Sequence, residues 1–104
     1  AMIRVAFTDT EVRFESDGTG KHYAIHCAEF PAVFGHPRHL MVDFERAHPL
    51  LHAALKAVHG GLLAPRVEIR VGRPVLGGLA DVDRRTLKDF LIHSGARDVT
   101  IVDA

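Results

Sequence analysis

At 104 residues the chain fits one domain with a modest core, and 47% hydrophobic against 25% charged residues is the balance of an ordinary globular protein. Lysine plus arginine and aspartate plus glutamate both count 13, giving zero formal net charge, whereas a general nucleic-acid or membrane-surface binder would carry a basic excess. No apolar run is long enough to span a bilayer, no stretch reads as a signal peptide, and the single cysteine, Cys27, leaves no internal disulfide and fits a reducing, cytoplasmic setting.

Ala1 precedes Met2, where the natural chain is expected to start, so the domain is expected to run over residues 2–104. Ile3, Val5 and Phe7 alternate with Arg4, Ala6 and Thr8, the period-2 pattern of a half-buried strand. Val12 and Phe14 alternate with Glu11, Arg13 and Glu15, and the intervening Asp9-Thr10 predicts a tight hairpin turn. After the Ser16–Gly20 turn, Tyr23, Ile25 and Cys27 alternate with His22, Ala24 and His26, which predicts a third strand and an antiparallel meander. Phe30 to Met41 contains Pro31, Gly35 and Pro37 and reads as an irregular connection. A helix is expected from about Ala47 to His59, with Pro49 in its first turn, an apolar face of Leu51, Ala54, Leu55 and Val58, and Gly60-Gly61 as its stop.

Arg66-Val67-Glu68-Ile69-Arg70-Val71 alternates again and predicts a fourth strand, followed by a loop at Leu76-Gly77-Gly78-Leu79. Asp81 is a candidate N-cap, and Asp81 and Asp83 put negative charge at a helix start. Val82, Thr86 and Phe90, with Leu87 and Leu91 beside them, form an apolar stripe that Gly95 closes, and Val99 to Val102 is a last strand. The order β-β-β-α-β-α-β predicts an α/β domain with a mixed five-stranded sheet, its last two strands a parallel pair joined by a right-handed crossover. Because the strands present charged residues on alternate positions, both helices should cover one face and leave the other to water or a polar partner.

Pro65-Arg66-Val67, Asp81-Val82-Asp83-Arg84-Arg85 and Ser94-Gly95-Ala96-Arg97-Asp98-Val99 follow one another as in a known family. That family carries P-R-V, T-x-V-E-R-R-A and A-G-A-R-E-V in this order, preceded by A-D-F and a helix ending in Val-His. Here Val42-Asp43-Phe44 and the Leu50–His59 helix stand in that place. Over about half of its length the chain resembles one lobe of the rod-shape determining protein MreB family, the bacterial actin homologues. The resemblance implies an actin-like, ribonuclease H-like half-domain with strands in spatial order 3-2-1-4-5. In that family a later part of the chain covers the second sheet face. Here the strands carry charge on that face, and the sequence reads as a stand-alone domain.

The family's nucleotide site is not matched. Its D-L-G-T hairpin corresponds to Phe7-Thr8-Asp9-Thr10, which lacks the glycine that lets backbone amides approach phosphate. Asp9 is either a relic of the metal-facing aspartate or a turn residue, and the turn role is the simpler. The Gly72-Arg73-Pro74 and Gly77-Gly78 loop precedes a helix, a place for anions, but neither phosphate-loop nor dinucleotide motif is present. No catalytic residue and no cofactor are therefore expected. His22 and His26 do not sit on the same strand face as Cys27, which reads as a small buried residue rather than a nucleophile. Asp81, Asp83, Arg84 and Arg85 read as a solvated first turn.

His48 and His52 stand at i, i+4 on one helix face with His59 further along, and His36, His39 and Asp43 precede them. These are weak metal candidates, because zinc sites need three or four placed ligands. The reading that follows is a non-enzymatic interaction module, possessing a partner protein or a second copy but no nucleic acid. A small-ligand or metal-binding protein built on the histidines or the Gly72–Gly78 loop is the alternative. Ribonuclease-type chemistry ranks last, since the strands carry arginines where clustered carboxylates would be needed. Candidate surfaces are the polar face (Arg4, Arg13, Arg66, Glu68 and Arg70), the edge strands Tyr23–Ala28 and Val99–Asp103, and the loop residues Phe30, Val33 and Phe34, which either meet a partner or finish the core.

Overall fold

A computed structural model describes residues 2–61, 63–73, 75 and 77–103; Ala1, Leu62, Pro74, Leu76 and Ala104 lie outside the described residues. Five strands, β1 (Met2–Phe7), β2 (Glu11–Ser16), β3 (His22–His26), β4 (Arg66–Val71) and β5 (Asp98–Asp103), form one sheet in the order β3-β2-β1-β4-β5. β1 pairs antiparallel with β2 and β2 with β3, while β1 with β4 and β4 with β5 are parallel. The helices are α1 (Pro31–Phe34), α2 (Phe44–Val58) and α3 (Asp81–His93), with a 3₁₀ turn at Cys27–Glu29.

Register aligns the apolar positions into rows. Val5 faces Phe14 on one side and Ile69 on the other, and Phe7 lies between Val12 and Val71. All six are buried. They meet Ala47, Leu51, Ala54, Leu55 and Val58 of α2 and Leu87 and Leu91 of α3 in one core. The other face carries Arg4, Arg66 and Arg70, all exposed, and Glu68, half-buried. The two long helices thus cover one face of a mixed sheet.

Four local expectations are corrected. The helix expected from Ala47 begins at Phe44, so Pro49 lies inside it rather than in its first turn. Its missing N–H leaves the Glu45 carbonyl without a helical donor, which the exposed side of an amphipathic helix tolerates. α2 ends on His59 in an extended conformation, not on a glycine cap. Asp81 is the first helical residue of α3 and Ala80 is the cap, without a side-chain bond. The connection read as irregular holds α1, whose Val33 and Phe34 are 1% and 2% exposed, so they complete the core and are not a docking surface. Phe30 is half-buried against the same core. Gly95 does close α3: at φ +112 it lets Gly95 N–H reach the Ile92 carbonyl (3.0 Å) and Ala96 N–H reach that of Leu91 (2.9 Å), the paired bonds of a Schellman cap.

Candidate interaction face

The polar face is built by register. Arg4 stands beside Glu15 of β2 and Glu68 of β4, and Glu68 beside Thr100 of β5. The Arg4 guanidinium donates from Nε to Asp17 (3.3 Å to Oδ1) and from Nη1 to Glu68 Oε1 (3.4 Å). Asp17 first, and then Glu68, hold the Arg4 charge more firmly than in a free side chain. Glu68 Oε1 also lies 3.8 Å from Arg70 Nη2, so one carboxylate serves two arginines. Arg13 Nη1 is 4.0 Å from Glu11 Oε2, and Arg66 makes no ion pair among the described residues. Pairs this exposed are screened and contribute little to stability. Arg13 and Arg70 flank Ala6 in the next row, which places a small apolar residue between two basic ones.

The histidine candidates are drawn into packing. His52 Nδ1 is 2.9 Å from Ser94 Oγ, and the His48 ring lies against Phe90 with centroids 4.8 Å apart. His48 Nε2 is buried with no hydrogen-bond partner among the described residues. His59, at the end of α2, lines a cavity of ≈ 280 Å³ with Ile3, Ser16 and Thr19. His36 and His39 approach each other at 5.0 Å, but His36 Nδ1 accepts Arg38 N–H (3.0 Å) and His39 turns to Asp83. Among the described residues no three His, Cys, Asp or Glu side chains are placed to hold a metal. Cys27 is buried, and that burial pushes its thiol above the usual range.

Two polar residues that sequence patterning passed over organise the sheet's other end. Asp83, read as part of a solvated turn, is 1% exposed. Its Oδ2 accepts Leu40 N–H (3.4 Å) and sits 3.4 Å from His39 Nδ1, while its Oδ1 has no partner among the described residues. The signal was present: Asp83, Leu87 and Leu91 share one helical face by i, i+4 spacing. Arg73, read as part of an anion loop, turns inward and donates to the carbonyls of Phe34, His36 (2.6 Å) and His39 (2.8 Å). It ties the β4 end to the α1–α2 connection. At the hairpin turn, Thr8 Oγ1 accepts the amides of Thr10 (3.3 Å) and Glu11 (3.1 Å), leaving Asp9 as an exposed turn residue.

No protein-family model and no curated protein matches the chain. No helix among the described residues is long and apolar enough to cross a membrane.

Proposed function

We propose that the chain is a non-enzymatic protein-interaction module resembling a lobe of the MreB family, acting in the cytoplasm with components of cell shape or the cytoskeleton. The observation that carries this reading is the uncovered sheet face. One side of the sheet is sealed by helices, while the other presents Arg4, Arg13, Arg66, Glu68 and Arg70 in register, with no element of the described chain over them. Its Glu15–Arg4–Glu68 row alternates acidic and basic residues, which suits a partner carrying both signs rather than a polyanion. Thr8 consumes the hairpin amides that a phosphate would need, and this supports a lost nucleotide site and no enzymatic role.

The test is a cross-linked pull-down from lysate of the source organism, comparing the native chain with an Arg66→Glu/Arg70→Glu variant. Filament or cell-envelope assembly proteins should be enriched by the first and lost from the second. Equal recovery by both, or recovery of neither, overturns the reading.

A further inference from the structure

The sheet's β3 edge has a composition suited to joining a second copy. Among the described residues β3 pairs with β2 alone. Ser16 N–H donates to the Lys21 carbonyl and Cys27 N–H to that of Thr10, both at 2.9 Å. Backbone groups alternate sides along an antiparallel strand, so Tyr23 and Ile25 direct theirs to β2, while His22, Ala24 and His26 direct theirs outward. The same three residues lie on the polar face, with His22 opposite Glu15 and His26 opposite Glu11.

We propose that this edge pairs antiparallel with the same edge of a second chain, and that the joint holds Zn²⁺, or a similar divalent transition metal, at two equivalent sites. The outward-pointing residues must oppose one another, and like parity must meet for the polar faces of both copies to stay on one side. Centring the two-fold axis on Ala24 pairs the whole strand. His22 then opposes His26 of the second copy, and His26 opposes its His22. Directly opposite side chains on one face stand about 5 Å apart at Cβ. Two imidazoles at that spacing can converge on one ion. The row continues with Glu15 on one side and Glu11 of the second copy on the other. Two nitrogens and up to two carboxylate oxygens form a donor set that zinc accepts. Glu11 is free to turn, since its contact with Arg13 is loose at 4.0 Å.

Two further observations agree. On the helix side Tyr23, 43% exposed, would lie opposite Ile25 of the second copy and lose its exposed ring surface. A single chain places no three ligands together among its described residues, so each site is complete only in the dimer. This inference goes beyond the partner reading: it concerns the edge, and a second copy of the chain.

Sedimentation velocity of the untagged chain, in chelator and with one equivalent of Zn²⁺, tests it. A monomer in chelator should become a dimer with zinc. His22→Ala and His26→Ala should keep the native circular dichroism and lose the zinc-induced dimer. An equimolar mixture of the two variants should regain it, because one site then takes His22 from one chain and His26 from the other. His52→Ala should dimerise normally. So should Arg66→Glu/Arg70→Glu, whose substitutions sit on β4 away from this edge, so the two readings fail separately. A native chain that stays monomeric with zinc, or dimerises equally in chelator, overturns the proposal. So does zinc-dependent dimerisation of either single histidine variant, or a mixture that stays monomeric.

Discussion

The two faces of this sheet are built from the same strands and obey opposite rules. On the helix side, Phe14 and Val5 are buried to within 1%, and each is held by neighbours on both adjoining strands. On the open side, Arg4, Arg66 and Arg70 project into water, and one carboxylate, Glu68, is shared by Arg4 and Arg70. The first face determines whether the chain folds. The second can vary at little cost in stability, which leaves its chemistry available for recognition.

Substitutions should expose the difference. Phe14→Ala removes a fully buried ring and is expected to cost about 3–5 kcal/mol in urea denaturation, enough to threaten folding in so small a domain. Asp83→Ala tests the polar exception on the buried side. It strips Leu40 N–H of its acceptor and His39 of its partner, and should cost about 1–3 kcal/mol by the same measurement. Arg66→Glu/Arg70→Glu, on the open face, should shift stability by no more than about 0.5 kcal/mol, as is usual for surface positions. If it instead destabilises as much as Asp83→Ala, the faces are not independent. The smallest effect concerns Cys27, whose folded thiol titrates above its unfolded value. A group raised in this way gives its full contribution below the unfolded value of about 8.5 and loses it as pH rises through the folded one. Stability should therefore decline slightly on the alkaline side, and the native thiol should react with a disulfide reagent far more slowly than the unfolded one at neutral pH.

Much of the sheet was legible in the sequence. In β4 charged and apolar residues alternate without a break, and in β1 and β2 buried apolar positions recur at every second residue, so the face of each side chain follows from parity. Helix detail was less legible, for reasons that lie in particular residues. Pro49 resembles a first-turn proline, yet α2 starts at Phe44 after Asp43, which adopts a left-handed φ of 55. Val82 completes an apolar stripe on paper but is 53% exposed, while Asp83 occupies the buried position, where Leu40 N–H and His39 meet its Oδ2. Arg73 is one arginine among many until the fold brings three carbonyls within reach of its guanidinium. The polar face was readable as a list of residues, whereas its charge linkage through Glu68 and Asp17 depends on strand order.

The central position of β1 bears on how the chain assembles. Its partner β2 follows after a short turn, but its other neighbour, β4, begins only at Arg66. Closing that second contact spans roughly 60 residues, a loop whose entropy must be overcome before the pairing is rewarded. Until then the middle of the future sheet is an open edge, able to capture a strand from another molecule. The charges of Arg66, Glu68 and Arg70 accordingly act as gatekeepers during synthesis as well as a surface afterwards. Replacing both arginines by valine should make refolding yield fall more steeply with protein concentration, through mispairing at a stage when the native fold does not yet exist.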